Sequence, residues 1–152
     1  MNKEQLSEIS NEISCMIRRY KNFINSETEL LNSRLKNIRS EDYSFIKNLT
    51  NVEYDIGSIV KSEVTIKVFK TMVETLEYMK CFVEKNDMES AYNTMIKGLN
   101  ELDYDNIESA IYQSHFFSNY FHTFRYHVKN AVSEFTHLKD VIKKIENQGN
   151  LK

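Results

Sequence analysis

Apolar residues recur along most of this chain at steps of three and four, the interval that keeps them on one face of an α-helix. From Lys3 to Ile38 the stripe runs Leu6, Ile9, Ile13, Met16/Ile17, Tyr20, Ile24, Leu31, Leu35 and Ile38. The step from Ile24 to Leu31 passes Glu27, which reads as a shift of register within one helix and not as its end. Ser40-Glu41-Asp42 then has the form of an N-cap followed by an acidic first turn.

A second helical stretch over 41–84 carries Phe45/Ile46, Leu49, Val52, Ile56, Ile59/Val60, Phe69, Met72/Val73, Leu76 and Phe82/Val83. Its middle leaves one helix or two open. Gly57 could break it, and Val64-Thr65-Ile66-Lys67-Val68 alternates as a strand does. There is no second strand-like run to pair with, so the helical reading is kept. Asn86-Asp87-Met88-Glu89 forms the next turn and cap, opening a short helix with Met88, Ala91/Tyr92, Met95/Ile96, Leu99 and Leu102 on one side. Asp103–Asn106 is a further polar turn, and Asp105 with Glu108 resembles a capping box. The last helix has the most regular pattern: Ala110, Ser114, Phe117, Phe121, Phe124, Val128, Ala131, Phe135, Leu138, Ile142 and Ile145. That alternation suits coiled-coil-like packing, and Gln148-Gly149-Asn150 is expected to end it.

Long helices joined by short polar turns bury their stripes by running antiparallel. The expected fold is therefore all-α: an elongated antiparallel helical bundle of three long helices plus one short helix, which packs at one end. One domain over 1–152 is expected, with residues 1–2 and 148–152 fraying. Composition agrees, because the 152 residues include Pro 0 and Gly 3, and few positions are left where a helix must stop or turn sharply. The stretch around 88–120 has the length of a tetratricopeptide pair without its signature residues.

Charge narrows the partners. The 20 basic and 22 acidic side chains are spread along the chain for a net −2, with no basic stripe of the kind nucleic acid selects. Arg18-Arg19-Lys21 is flanked by Glu4, Glu8, Glu12, Glu27 and Glu29, as on a solvated face. No apolar run approaches the ~18 residues of a membrane helix, and no charged-then-apolar leader opens the sequence. Cys15 and Cys81 form no CxxC, which suits thiols packed inside a protein of a reducing compartment. A cytoplasmic location without membrane contact is expected, and nucleic acid is disfavoured.

Candidate chemistry concentrates between Tyr112 and Tyr126, where Tyr112, Phe116, Phe117, Tyr120, Phe121, Phe124 and Tyr126 accompany His115 and His122. Phe116 and Tyr126 point away from the apolar seam, with Tyr112 and Tyr120 on its flanks. Such a helix is apolar nearly all round, so it is central in the bundle or covered by something else. Three readings follow: bundle core, an interface with another protein or a second copy, or a wall of a ligand pocket. His115 and His122 lie two turns apart, about 10 Å, too far to share a metal without a bend. Glu134-Phe135-Thr136-His137 is a single Glu-x-x-His, where di-iron bundles use two. Arg125-Tyr126-His127 lacks the spacing of the HEPN ribonuclease motif. No phosphate loop, nucleophile elbow or His-Glu-x-x-His is present.

The sequence thus points to a non-enzymatic helical interaction module, such as an adaptor, chaperone, inhibitor or immunity-type factor. No catalytic residue, cofactor or metal is assigned. The partner would be another protein or the chain's own copy, as in a homodimer, with Tyr112, Phe116, Tyr120, His122 and Tyr126 at the contact. The alternatives are a small-molecule or metal sensor built on the His/Tyr-rich last helix, and then a nucleic-acid-associated helical protein.

Overall fold

Helix accounts for nearly every residue of the computed structural model, which describes residues 1–40, 49–102 and 121–150, with side chains over 1–36, 57–102 and 125–149. Three helices are long: α1 (Lys3–Ser40), α2 (Leu49–Glu84) and α4 (Phe121–Asn150); α3 (Met88–Glu101) is short. There is no strand among the described residues. The protein is all-α.

Side-chain pairs give the directions. Ser10 meets Glu84, Lys21 meets Glu77 and Arg34 meets Ser58, so α1 and α2 are antiparallel. Gln5 reaches Ile145 while Arg19 reaches Glu134, so α4 also opposes α1. The short α3 folds back along the second half of α2, its Gly98 against Thr75. The helices therefore alternate up and down.

α2 runs unbroken through Gly57 and the strand-like Val64–Val68. Alternation there is incidental, because Ser62, Thr65 and Thr75 are buried polar positions on the helix stripe. Thr65 and Thr75 donate their hydroxyls to the carbonyls of Lys61 and Thr71, one turn back, at 2.9 and 2.8 Å, and so enter the interior with their donors satisfied. At the other end of α2 the chain turns by a Schellman motif. Asp87 N donates to Phe82 O, Asn86 N donates to Val83 O, and Asn86 takes φ 58°, a left-handed position that Asn tolerates better than most residues. Asp87 then caps α3 by accepting from Ser90 N at 3.1 Å.

The interior is made largely from the expected stripes, with Val68 and Met79 of α2 added to them. Ile9, Ile13, Met16 and Tyr20 of α1 meet Val68, Met72, Val73, Leu76, Met79 and Val83 of α2, Ala91 and Met95 of α3, and Val128, Ala131, Phe135, Leu138, Ile142 and Ile145 of α4. Full burial of each large side chain contributes roughly 1.5–3 kcal/mol. At Gly98 α3 packs tightly on α2, since a Cβ there would overlap the Thr75 side chain. At the start of α1, Asn2 and Gln5 exchange backbone and side-chain hydrogen bonds at 3.0 and 2.9 Å, a capping box with Asn and Gln in its two places. The Gln5 amide also donates to Ile145 O at 2.8 Å, tying the first turn of α1 to the end of α4.

Several expectations are corrected. Cys15 and Cys81 are exposed, not packed inside: each sits off its helix's buried stripe, on the opposite side from residues such as Ile13 and Met79. Ser40 is the last residue of α1 and not the cap of a following helix. Ile96 faces outward beside the buried Met95, and α4 includes Gln148 and Gly149. Glu41, Asp42, Asp103–Asn106, Ala110, Ser114 and Phe117 lie outside the described residues. No described helix is long and apolar enough to cross a membrane.

Candidate functional site

The apolar stripe of α1 breaks at Glu27 because that position faces something polar. Ser62 on α2 is fully buried and donates its hydroxyl to Glu27 Oε1 at 2.9 Å. Ser62 Oγ in turn accepts from Arg34 Nη1 at 2.6 Å, and Arg34 also donates to Ser58 O at 2.9 Å. One acid, one hydroxyl and one guanidinium thus replace a layer of apolar packing between α1 and α2. Such a network fixes the register of two helices, because a slip in either would strand a buried polar group.

Next to this layer lies a run of rings drawn from three helices. Tyr20 and Phe23 of α1 and Phe69 of α2 form a triangle with centroids 5.5–5.7 Å apart. Phe69 continues to His127 of α4 at 5.1 Å, and His127 to Tyr126 at 5.6 Å. Tyr20, at one end, is 4% exposed and covered by Arg19, whose guanidinium lies 5.4 Å from its ring centroid and pairs with Glu134 at 2.6 Å. Burial, reinforced by the Glu134 carboxylate, pushes the Tyr20 phenol upward, against the opposing effect of Arg19. The outer members are open: Phe23 is 44% and Tyr126 62% exposed. Phe23 and Tyr126 thus stand at the open end of a cluster whose inner ring, Tyr20, is packed.

Between these rings runs an open groove of about 290 Å³, lined by Phe23, Ser26, Glu27, Lys61, Thr65, Phe69 and His127. His127 is half-buried there. Loss of water around the imidazole holds its pKa below the ordinary value; Lys61 acts in the same direction and Glu27 opposes it. At neutral pH the ring is accordingly uncharged, an amphipathic surface with one donor and one acceptor. Ser62 against Glu27 has the pairing of a hydroxyl with a base, but Ser62 has no exposed surface for a substrate to reach. A second groove, between α2 and α3, is lined by Glu74, Tyr78, Phe82, Thr94, Lys97, Gly98 and Glu101 and carries three ionised side chains.

Of the residues singled out from sequence, Tyr112, Phe116, Tyr120 and His115 lie outside the described residues, and His122 lies on α4 without a described side chain. Tyr126 is on the outer surface of α4, next to the groove. Glu134 is engaged by Arg19 and His137 is exposed. Among the described residues no group of three or more His, Cys, Asp or Glu is placed to hold a metal ion. Sequence reasoning did not find Phe23, Phe69, Glu27 or Lys61 as site residues. Phe23 carried a usable signal as a large aromatic standing off the α1 stripe, and Glu27 another as a charge standing on it. Compared with known protein families, curated proteins and solved structures, the chain matches none.

Proposed function

We propose that this chain is a protein-interaction module that receives an apolar helical face of another protein across Phe23, Phe69, His127 and Tyr126. The observation that carries the reading is the exposure of Phe23 and Tyr126 at the open end of a cluster whose inner rings are packed. Rings held by their neighbours lose little conformational freedom on binding, and aromatic anchors dominate the energetics of most interfaces. Glu27 and Lys61 at the groove edge supply charges of both signs for a polar rim. No catalytic role is assigned to any of these residues.

The test is capture of partners by the tagged chain, repeated with Phe23→Ala and Tyr126→Ala together, alongside the mass of the purified chain in solution. A single protein retained by the wild type and lost with the double variant supports the reading. A wild-type dimer that the double variant converts to monomer identifies a second copy as the occupant. Equal retention by both forms rejects this face.

The groove also favours one second reading, a small-molecule sensor. At about 290 Å³ it lies near the lower end of the ~300–1,000 Å³ of ligand sites, and it combines apolar walls with Glu27, Lys61 and His127. A ligand that co-purifies with the chain and is displaced by Phe69→Ala would move the assignment there.

A further inference from the structure

Given that this face receives a partner protein, as proposed above, we infer that its groove takes an arginine side chain of that partner. The guanidinium would stack on the rings of Phe23 and Phe69 and pair with the Glu27 carboxylate. Three rings wall the groove. Phe23 and Phe69 lie 5.7 Å apart at 41° to one another, and His127 stands at 75° to Phe69. Rings set at such angles bound the groove on more than one side, and the face of an aromatic ring attracts a cation.

The acid selects the sign of the guest. Glu27 is half-buried, and its Oε1 is fixed by the Ser62 hydroxyl at 2.9 Å. Arg34 holds that hydroxyl in place through its own bonds to Ser62 and the Ser58 carbonyl. The ion pairs among the described residues are Arg19–Glu134, Lys21–Glu77 and Lys80–Glu84, and none of them includes Glu27. A positioned carboxylate thus stands beside aromatic rings, where low local polarity strengthens a charge-assisted hydrogen bond. Lys61 lines the same groove with the opposite charge. It is exposed, however, on a flexible stem that lets its ammonium withdraw into water. An anionic guest would meet a fixed acid, whereas a cationic guest meets only a movable base. Guanidinium suits the place better than ammonium, because its plane lies flat on a ring while its edge donates to a carboxylate.

The experiment uses the whole chain and a small probe, so it does not depend on knowing the partner. N-acetylarginine amide is titrated into the chain near neutral pH while the ring signals of Phe23, Phe69 and His127 are followed by NMR. The lysine and citrulline counterparts serve as controls. The arginine probe is expected to shift these signals saturably, the lysine probe more weakly, and the uncharged citrulline probe hardly at all. Glu27→Gln keeps an acceptor for Ser62 but no charge, and should weaken the arginine probe by about tenfold. Phe23→Leu should weaken it by about two- to fivefold. Lys61→Met removes the repelling charge and should tighten it by about twofold. A gain of binding cannot come from misfolding, so Lys61→Met is decisive even if Glu27→Gln folds poorly. No saturable shift, citrulline or lysine binding as well as arginine, or unchanged affinity in both Glu27→Gln and Lys61→Met would each overturn the proposal. The interface is judged separately. A partner still captured through Phe23 and Tyr126 when the probe fails leaves the interface without this contact. A probe that binds while no protein is retained keeps the arginine site and rejects the interface.

Discussion

The two ends of the bundle are built on different principles. At one end, Ile9, Ile13, Met79, Val83, Ala91, Phe135, Leu138 and Ile142 meet with no exposed surface or almost none. At the other, around Glu27, Arg34, Ser58, Ser62, Phe69 and His127, the same helices meet through a polar layer and a run of rings that reaches the surface. The dry end derives stability from area removed from water, which is large and indifferent to detail. The wet end contributes less stability and more specificity, since its hydrogen bonds can be made in only one register. Surfaces for recognition belong at the wet end, where side chains are held in place without being covered.

The largest expected difference lies in truncation of a ring. Phe135→Ala at the dry end should lower stability by about 3–5 kcal/mol, through lost burial and the cavity left behind. Chemical denaturation measures it directly. A loss under about 1 kcal/mol would mean that the dry end is no better packed than the wet one, and the contrast would fail.

The polar layer should respond in a way the dry core cannot. Ser62→Ala leaves Glu27 without its donor and Arg34 with one acceptor fewer, a loss of about 1–3 kcal/mol. Replacing the whole layer at once, as Glu27→Leu, Ser62→Ala and Arg34→Met, should restore stability or raise it, because no charge is then left to desolvate. Should the triple variant be less stable than Ser62→Ala alone, the layer would be a source of net stability and not chiefly a register lock.

What the sequence made legible follows the same division. Every element of the dry end could be read, because each helix shows its own stripe and burial needs no knowledge of its neighbours. The seam from Val128 to Ile145 is the plainest case. The wet end could not be read this way. Ser58, Ser62 and Thr65 continue the α2 stripe at helical spacing, yet they are polar and were passed over, while Val64, Ile66 and Val68 suggested a strand. The break at Glu27 was visible as a shift of register, but its meaning depended on Ser62, 35 residues away. The ring cluster draws on three helices, and no single helix announces it.

A smaller effect tests the tight contact between α2 and α3 at Gly98. Gly98→Ala gains about 1 kcal/mol of helix propensity but drives a methyl into the Thr75 side chain. Overpacking of this kind costs about 1–3 kcal/mol, so the variant should be destabilised on balance. Thr75→Ala removes the obstructing atoms, and the double variant should be more stable than the sum of the single changes allows. Strict additivity would show that α3 shifts aside freely and that the contact is not tight.

The smallest effects on stability fall on the rings assigned to recognition. Phe23 touches Tyr20 and Phe69, so Phe23→Ala should lose about 0.5–1.5 kcal/mol, the worth of such ring pairs. Tyr126 is 62% exposed, and its loss should leave stability within about 0.5 kcal/mol of wild type. For an interaction surface the order reverses in a binding measurement, where a central aromatic anchor costs about 2 kcal/mol or more. Thermal melts and titration calorimetry on the same two variants therefore separate the roles. A ring whose removal costs stability and binding alike is a packing residue that happens to show. One whose removal costs binding alone is a recognition residue.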